Sequence, residues 1–412
     1  MSVTRSLPRL ACGLAACGLA ASAGASHHAT GFASVAALGL SSTTGGAGGP
    51  VVVVDNQDEL EFYLRGDSPR TIAVRGSILI DNFGEELSVG SNKTILGLGA
   101  DAEIVYGGLN IDNQSNVIIR NLTIRDSYVE GDWDGKTQDY DGIQVDDSHH
   151  IWIDHVHVTR MGDGLIDLRG GGLDYVTISN SILSDHNKAL GVGWTDESDQ
   201  HVTIHHTWIR NTNQRNPSYD NVVGHFYNNF LEDISSYGLN PRNDAVVVSE
   251  NNVFENVNKP YNISGDAELR VSGDVLINSP GASTPRGDAF TPGDFYSYTL
   301  DDTAELRDLI RANSGPQAWI GVYPLDGDYN QDGVVDAADF TVWRDRFGDP
   351  AGALPNDPNT GPIGPAQHAT WAANYGSAAP SLAAAVPEPA AVVSLLLGSW
   401  AMLIPRRTGS GT

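Results

Sequence analysis

Acidic and basic side chains that suit metal binding and proton transfer recur in the middle of the chain at similar intervals. In "DGLIDLRGG", residues 163–171, Asp163 and Asp167 stand in a segment that otherwise alternates apolar and polar residues like a β-strand. The full set of such positions is Asp139, Asp141, Asp163, Asp167, Lys188 and Arg215. The steps from Asp141 to Asp163, from Asp167 to Lys188 and from Lys188 to Arg215 are alike in length, and each is long enough for one coil of a solenoid. A fold with such a repeat would bring all six side chains to one surface.

Four clustered carboxylates need a neutralising partner, because like charges at close range raise one another's pKa or repel. A Ca²⁺ ion would supply that partner, since it takes about six to eight oxygen ligands in flexible geometry. Each aspartate taken alone also fits an ordinary Asp-Gly turn, as in "DGL" and "DYDG". The spacing shared with Lys188 and Arg215 favours the calcium site over turns alone.

The elements that must position these residues are short β-branched segments that recur from Val51 onward. They are "KTILGLG" at 93, "NVIIRNLTI" at 116, "HIWIDHVHV" at 150, "YVTISNSIL" at 175, "HVTIHHTWI" at 201, "VVGHFYNNF" at 222 and "AVVVSENNVF" at 245. The intervals between their starts fall in the range of about 20–50 residues that indicates a solenoid of stacked coils. We expect a parallel β-helix with strands about 4.8 Å apart. The alternative is a β-sandwich, whose strands usually recur every ~8–12 residues.

Composition excludes some classes of partner. The 412-residue chain has a formal net charge of −27, with 24 Lys and Arg against 51 Asp and Glu. Nucleic acid is not expected as a partner, because binding to phosphates needs a basic surface. The only cysteines, Cys12 and Cys17, lie near the start of the chain. The rest of the chain therefore has no disulfide and no thiolate metal site.

Several longer segments carry a family resemblance. They are "SNKTILGLG" (91–99), "NVIIRNLTI" (116–124), "DYDGIQV" (139–145), "IWIDH" (151–155), "DGLIDLRGGGLDYVTISNSILSDHNKALGVG" (163–193) and "QRNP" (214–217). In order and separation, from about Val51 to Trp319, they resemble the pectate lyases of polysaccharide lyase family 1. The resemblance implies an all-β fold, a right-handed parallel β-helix, over residues 51–320.

The resemblance also implies roles for individual residues. Asp141, Asp163 and Asp167 match the calcium-ligand positions of the family, and Asp139 matches an additional acidic position beside them. Lys188 matches the lysine that binds a substrate carboxylate. Arg215, followed by Asn-Pro, matches the arginine that abstracts the proton.

One position departs from the pattern. Shortly after Arg215, where many members have a second substrate-binding arginine, this chain has Asp220. Arg242, in "NPRND", is a candidate to bind the substrate instead, and the alternative is that Arg242 lies on a loop and pairs with Asp244.

The function implied is calcium-dependent cleavage of pectate, or polygalacturonan, by β-elimination. Ca²⁺ and Lys188 would neutralise the uronate carboxylate and stabilise the charge that develops when the C5 proton leaves. Two alternatives are a calcium-independent lyase acting on methylated pectin and a noncatalytic polysaccharide-binding surface β-helix. We expect the protein to act as a monomer.

Other conspicuous residues are interpreted more simply. Seven histidines in "SHHIWIDHVHV" and "HVTIHHTW" suggest a transition-metal site, but alternation along strands points them to different faces, so stacking or surface positions are favoured. The Asn-Asn pairs in "YNNF" and "ENNVF" predict an asparagine ladder at the coil turns. Trp152, in an apolar strand, is predicted to pack in a core.

A second calcium site is predicted after a capping helix at 303–316. In "DYNQDGVVDAAD", residues 328–339, oxygen donors occur at the spacing of a calcium-binding loop, with Gly333 at the sharp turn. The donors are Asp328, Asn330, Asp332, Asp336 and Asp339. Residues 321–379 resemble a dockerin type I module whose second repeat has lost its full ligand set. Such a module would bind a cohesin-like or cell-envelope partner, and the alternative is a purely structural calcium module.

Both termini resemble targeting signals. Arg5 and Arg9 precede an apolar run and the small residues "ASAGAS", which predicts a signal peptide at 1–25. Residues 26–50 are expected to form a flexible lead. At 380–412, "VPEP", an apolar stretch and two arginines resemble a PEP-CTERM sorting tail, the alternative being a plain hydrophobic anchor. These features predict a secreted or bacterial cell-surface protein.

Overall fold

The structure, a computed structural model of the 412-residue chain, describes residues 28–197, 199–321, 325–330, 334–359 and 361–377. Three parallel sheets, here named A, B and C, wind into a parallel β-helix, as the repeat predicted. Sheet A consists of β1 (Val51–Val54), β2 (Arg70–Val74), β5 (Lys93–Gly97), β8 (Ser115–Arg120), β11 (His149–Asp154), β14 (Asp174–Ser179), β17 (Gln200–His205), β20 (Val222–Tyr227), β23 (Val246–Glu250) and β25 (Glu268–Ser272).

Sheets B and C complete each coil. Sheet B consists of β3 (Ser77–Leu79), β6 (Glu103–Val105), β9 (Thr123–Arg125), β12 (His157–Thr159), β15 (Ile182–Lys188), β18 (Trp208–Gln214), β21 (Phe230–Ile234), β24 (Val253–Val257) and β26 (Val275–Ile277). Sheet C consists of β4 (Glu86–Ser88), β7 (Gly108–Asp112), β10 (Ile143–Asp146), β13 (Ile166–Arg169), β16 (Leu190–Gly193), β19 (Ser218–Asp220) and β22 (Asn240–Arg242). Through most of the stack the chain passes from sheet A to B to C and then begins the next coil.

The strand register confirms the repeat. In sheet A, Val117 pairs with Ile151, Ile151 with Val176, and Val176 with Val202, so each segment lies one coil from the next. The coil from Val117 to Ile151 is longer than the two that follow it, because residues 126–142 form an extended connection between β9 and β10. That connection carries Asp139 and Asp141 toward sheet C.

Alternation along the strands separates an apolar interior from a polar outer face. In β10, Ile143 and Val145 are fully buried in the core, and Gln144 between them faces outward. Burying each such Ile or Val side chain stabilises the fold by about 1.5–3 kcal/mol. The predicted asparagine ladder is confirmed at one corner, where the Asn229 side-chain amide donates to Asn252 Oδ1 at 3.0 Å.

Two helices lie against the β-helix. α1 (Gln57–Leu64) places Leu60 and Leu64 in the main core, so it covers the N-terminal end of the stack. α2 (Thr303–Asn313) was predicted to be a capping helix, and this was wrong. Its Leu306 and Ile310 pack on Phe230 and other residues of β21 and β24, so α2 lies along the side of sheet B.

The prediction of a flexible lead at 26–50 was wrong for residues 28–50, which the structure describes. This segment packs on the outer face of sheet A, and Phe32 is fully buried there. The Phe32 N–H donates to Thr203 Oγ1 at 3.1 Å, and the Ala33 N–H donates to Thr177 Oγ1 at 3.0 Å. Trp152 is buried as predicted, but beneath this segment rather than inside the β-helix. The segment is rich in Gly and Ser, which suggested flexibility, but a few residues such as Phe32 and Ala33 bind it to sheet A.

The described part of the C-terminal region contains α3 (Ala337–Asp345) and α4 (Pro365–Asn374). A tryptophan on each helix donates a hydrogen bond to the N-cap residue of the other helix. Trp343 of α3 donates to the carbonyl oxygen of Gly364, the N-cap of α4, at 2.9 Å. Trp371 of α4 donates to the carbonyl oxygen of Asp336, the N-cap of α3, at 2.7 Å. The two halves therefore pack as a related pair, although their loop sequences differ.

No helix in the described part of the chain is long and apolar enough to cross a membrane. The predicted signal peptide at 1–25 and sorting tail at 380–412 lie outside the described residues.

Candidate active site on sheet C

The candidate site lies on the outer face of sheet C, next to the corner where the chain arrives from sheet B. Outward positions stack in register along the sheet, and the column runs through Asn110, Gln144, Asp167, Gly191, Ser218 and Asn240. The spacing had suggested that Lys188 stacks on Asp167 and Arg215 on Lys188. That alignment was wrong, because Gly191 stacks on Asp167 and Gln214 stacks on Lys188.

The six predicted side chains nevertheless come together. Asp167 lies on β13, and the other five stand at the corner that precedes four adjacent strands of sheet C, namely β10, β13, β16 and β19. Carboxylate oxygens of Asp139, Asp141 and Asp163 lie within 4.8 Å of one another. Asp141 is fully buried, Asp163 is partly buried and Asp139 is exposed. Asp167, the fourth predicted ligand, is buried beside this group but is not one of the three.

Asp141 offers a carboxylate oxygen that a cation could bind. Its Oδ1 accepts a hydrogen bond from the Gly164 N–H at 2.6 Å. Its Oδ2 is buried and has no hydrogen-bond partner among the residues that the structure describes, although buried carboxylate oxygens are costly when nothing pairs with them. Burial, together with the carboxylates of Asp167, Glu86 and Asp163, raises the pKa of Asp141 well above its usual range.

The three-carboxylate group fits a calcium ion. Ca²⁺–oxygen distances of about 2.3–2.6 Å allow two ligand oxygens to be up to about 5 Å apart. The separations within Asp139, Asp141 and Asp163 meet that limit, and the unpaired Asp141 oxygen supplies a ready ligand. The exposure of Asp139 leaves one side of the group open to water or a bound molecule.

Glu86 is a site residue that sequence reasoning missed. It lies on β4, and its carboxylate Oε1 accepts a hydrogen bond from the Asp141 N–H at 2.7 Å. Burial, opposed by that hydrogen bond, raises the pKa of Glu86 to about 7. It stands 55 residues before Asp141, about twice the coil length. Only the register of sheet C reveals that the two residues are neighbours.

The two cations each contact one aspartate. Lys188 ends β15 and its ammonium forms a short ion pair with Asp163. Arg215 follows β18, and its Nη1 lies 3.2 Å from Asp167 Oδ2. Burial raises the pKa of Asp167, and the Arg215 guanidinium opposes that rise.

A gap in the side-chain column makes room for Arg215. Gly191 stands directly over Asp167, and a Cβ atom there would lie 2.8 Å from Asp167 Oδ1 and 3.3 Å from Arg215 Nη1. The same Cβ would lie 2.8 Å from Trp194 Nε1, a buried N–H group from which no described residue accepts a hydrogen bond. The Arg215 guanidinium is 4.8 Å from the Trp194 ring centre. Glycine at 191 therefore lets the arginine, the indole and the carboxylate converge.

Arg242 is near the site but is not a free substrate clamp. It lies on β22 in register with Asp220, and the two side chains form an ion pair at 2.7 Å. Its guanidinium also stacks 4.1 Å from the Trp194 ring centre. The alternative of a loop arginine paired with Asp244 was wrong, since strand register puts Asp220 rather than Asp244 beside Arg242.

The histidines do not form a metal site in the described part of the chain, where the only group of three close ligands is the aspartate group. Several stack along the coils as predicted. The ring of His205 lies 4.9 Å from that of Tyr227, and the ring of His201 lies 5.3 Å from that of Tyr175.

The second predicted calcium loop is partly described. Asp339 is buried, its Oδ1 accepts from the Asn330 N–H at 2.9 Å, and its Oδ2 accepts from the Asp336 N–H at 2.8 Å. Asp328 is also buried. Asp332 lies outside the described residues.

Fold and site together define a parallel β-helix protein with an acidic, cation-flanked site on the outer face of one sheet. Residues 4–318 match the pectate lyase family. The pectate trisaccharide-lyase of Thermotoga maritima is 40% identical over 208 residues, which cover 48% of this chain and 56% of the relative. The pectate trisaccharide-lyase of Bacillus licheniformis is 33% identical over 291 residues, covering 66% of this chain and 83% of the relative.

A solved structure agrees with these relatives. The pectate lyase from Bacillus sp. N165, determined in complex with trigalacturonate, is 28% identical and superimposes with a TM-score of 0.59. The match covers 70% of this chain and 98% of that one. The chain therefore belongs to the pectate lyase family. It spans only about half the length, 56%, of the Thermotoga relative.

Proposed function

We propose that the protein is a calcium-dependent pectate lyase that cleaves polygalacturonate by β-elimination. The observation that carries the proposal is the convergence of Asp139, Asp141 and Asp163 within 4.8 Å of one another, with Lys188 in contact with Asp163. The Bacillus sp. N165 pectate lyase binds trigalacturonate, and related chains are named pectate trisaccharide-lyases. These names support a galacturonate polymer as the substrate.

In the proposed reaction, Asp139, Asp141 and Asp163 would hold the ion. Bound Ca²⁺ would supply a Lewis acid that helps to neutralise the uronate carboxylate. Lys188 lies at the edge of the same group, where its ammonium can bind that carboxylate as well as Asp163. Neutralising the carboxylate makes the C5 proton more acidic, because the charge that develops on its removal is stabilised.

Arg215 is proposed to receive the C5 proton. Electrons of the C5–H bond then form the C4–C5 double bond. The C4–O bond breaks, and the neighbouring sugar leaves with that oxygen, which takes a proton from water. Arginine side chains in proteins normally stay protonated, so the route needs a neutral guanidine or a hydroxide held by Arg215. Either form becomes more abundant at alkaline pH, and Asp167 and Trp194 hold the guanidinium in place for it.

We propose a second, structural calcium site in the C-terminal region, resembling a dockerin type I repeat. In the described residues Asp339 accepts from the backbone N–H groups of Asn330 and Asp336, and Asp328 is buried. Asp332 completes the ligand set in the sequence. In the second half, Gln367 replaces the final acid, and its side-chain amide donates to Asp357 at 2.9 Å. The hydrogen bond between Gln367 and Asp357 stands where the second half would otherwise bind a metal, which supports one calcium ion in this region rather than two. A cohesin-like or cell-envelope partner stays a prediction.

We further propose that the protein is exported by its N-terminal segment and sorted to the cell envelope by residues 380–412. The proposal is supported by the sequence features of the two ends. A polymer too large to cross a membrane also requires an exported enzyme.

The test is to incubate the protein with polygalacturonate and follow the ultraviolet absorbance of unsaturated products. Activity should require added Ca²⁺, disappear with a chelator and return when Ca²⁺ is restored. Activity that resists the chelator and prefers methylated pectin would favour the calcium-independent pectin lyase. No unsaturated product from either polymer, with polysaccharide binding retained, would favour the noncatalytic β-helix.

A further inference from the structure

A second groove lies beside the candidate active site, around the corner on sheet B. Its volume is about 360 Å³, at the lower end of the range of about 300–1,000 Å³ for small-molecule sites. Its main lining residues are Trp133, Asp185, Asn211, Asn213, Asp233 and Ser235. No residue of the proposed lyase machinery lines it.

One wall of the groove is aromatic. Trp133 lies on the extended connection between β9 and β10, and 49% of it is exposed. A half-exposed indole is costly to leave in water and offers a flat apolar face. The non-polar face of a pyranose or furanose ring is the kind of surface that packs on such an indole.

The opposite wall is a ladder of polar side chains. Asn211 donates to Asp185 Oδ1 at 2.6 Å, Ser235 donates to Asn213 Oδ1 at 2.8 Å, and Asn213 donates to Asn187 Oδ1 at 2.7 Å. These bonds fix the amides and the Asp185 carboxylate in place. Asp185 Oδ2 also accepts from Ser184 Oγ at 2.7 Å, and each carboxylate oxygen can accept a further hydrogen bond. Carboxylate and amide groups held rigidly in this way suit the hydroxyl groups of a sugar.

The charge of the groove selects against uronates. Among the described residues, no Lys or Arg lines it. Arg210 lies beside it, 4.0 Å from Asp185, and pairs with that carboxylate. Asp233 is exposed and accepts a hydrogen bond only from the neutral Asn256 amide at 2.9 Å among its described contacts. A galacturonate carboxylate placed here would meet net negative charge.

The groove and the active-site corner are connected by contacts of β15. The Trp133 ring centre lies 6.2 Å from that of His186, and His186 Nε2 is 2.8 Å from the backbone carbonyl oxygen of Asp163. Asn187, which accepts a hydrogen bond from the groove residue Asn213, directly precedes Lys188. A molecule in the groove therefore lies next to the site without entering it.

We propose that this groove binds a neutral sugar, with its apolar face on Trp133 and its hydroxyls on Asp185 and Asp233. The binding site rests on the groove alone. Its use as a subsite for neutral branches of a pectic polymer rests on the proposed function, and it would direct the enzyme to polymer regions that carry neutral sugars.

The test is calorimetric titration of the protein with β-1,4-galactotetraose, a neutral oligosaccharide, in the presence of a chelator. The wild-type protein should bind, and Trp133→Ala should bind about tenfold more weakly or worse. Phe62→Ala removes another exposed aromatic residue, on α1, and should bind normally. Asp233→Ala, on the opposite wall and on another coil, should also weaken binding several-fold, and it decides the matter if Trp133→Ala does not fold.

Wild-type protein that does not bind the oligosaccharide at millimolar concentration would overturn the proposal, as would equal affinity in all the variants. Polygalacturonate turnover by Trp133→Ala should stay within about twofold of wild type, because Trp133 is outside the proposed lyase machinery. If wild-type protein yields no unsaturated product, the proposed lyase function fails, while the titration still decides whether the groove binds a sugar.

Discussion

At the scale of single residues, the candidate site consists of aspartate carboxylates, two of which form ion pairs with Lys188 and Arg215. Asp163 and Asp167 were both predicted to be calcium ligands, but their contacts differ. Asp163 belongs to the group of three close carboxylates, whereas Asp167 lies against Arg215. The sequence identified the participants through their spacing and family motifs. The sequence could not show which aspartate binds calcium and which pairs with Arg215, because that depends on the directions of the side chains at a corner between two sheets.

The different contacts of Asp163 and Asp167 predict different defects. Asp163→Ala should weaken Ca²⁺ binding by about 100-fold or more, because it removes one of three converging ligands. Losing a residue that only supports a ligand already costs about 10–100-fold in metal affinity, so losing a ligand itself should cost at least as much. Asp167→Ala should lower calcium affinity less than about tenfold and mainly reduce turnover, since it releases Arg215. Calcium titration and lyase assays on both variants check this. Equal losses of calcium affinity would assign Asp167 as a ligand too.

The raised pKa values predict a pH-dependent calcium site. Glu86, with a pKa of about 7, and Asp141, whose pKa is well above its usual range, both hold protons more tightly than ordinary carboxyls. Ca²⁺ would displace the proton of Asp141, and its charge would favour ionised Glu86 beside that ligand. Calcium affinity should therefore increase as pH rises through about 7, and binding should release protons. Calcium titration at several pH values, in buffers of different ionisation enthalpy, measures both effects.

The same shift has a consequence for stability without calcium. The folded-state pKa of Glu86 is above the unfolded value of 4.5, so between these values the folded protein binds more protons. Its contribution to the free energy of unfolding is therefore present below about pH 4.5 and is lost as pH rises through about 7. Glu86→Gln should flatten this part of the pH profile measured by denaturant unfolding. A profile identical to wild type would contradict the assignment.

At the scale of elements, the repeat was predictable and the register was not. Short apolar segments at similar intervals correctly indicated stacked coils, because inward-facing Ile and Val recur on every coil. Coils of unequal length shift the alignment at each corner, so Gly191 rather than Lys188 stacks on Asp167. Residues 28–50 were harder still, since their attachment depends on a few contacts such as that of Phe32 N–H with Thr203. No periodic pattern marks such a segment.

Gly191 provides a test of this strand-level arrangement. Gly191→Ala would place a methyl group 2.8 Å from Asp167 Oδ1 and Trp194 Nε1, and 3.3 Å from Arg215 Nη1. Displacing the arginine should lower kcat by about 10- to 100-fold with little change in stability, since small misplacements of reacting groups carry costs of that size. Gly171→Ala, whose added Cβ would meet Glu197 Cγ at 3.2 Å, is the matched control. Normal kcat in Gly191→Ala would show that the gap does not position Arg215.

At the scale of the whole molecule, the chain combines a β-helix with a small helical region that carries a predicted calcium loop. The β-helix and its family could be predicted from the sequence because long motifs agree in order and spacing. The same motifs supplied the candidate site residues, whose roles stay a prediction. The C-terminal region has only one complete ligand set, and its reciprocal Trp343 and Trp371 contacts were not visible in the sequence. Those contacts explain how a second repeat without calcium ligands can still pack.

Truncation after Gly321 tests the division between these parts. The shortened protein should retain its polygalacturonate turnover within about twofold, because every proposed lyase residue precedes the cut. It should also lose one calcium-sensitive unfolding transition, since bound metal stabilises the part that binds it. Thermal unfolding with and without chelator, for the full chain and the shortened one, makes the comparison. Loss of turnover in a folded truncated protein would show that the C-terminal region contributes to activity.

Arg215→Lys tests the central claim, which is that this corner of sheet C performs β-elimination with Arg215 as the proton acceptor. Lysine keeps the positive charge near Asp167 but loses the planar guanidinium. Binding of polygalacturonate should therefore remain near normal, while kcat, measured as unsaturated product formed at saturating Ca²⁺, should fall on the order of 10²- to 10⁴-fold. Arg307→Lys, on α2 and paired with Glu255, should leave both quantities unchanged. Near-normal turnover in Arg215→Lys, or weakened binding with unchanged turnover, would contradict the claim.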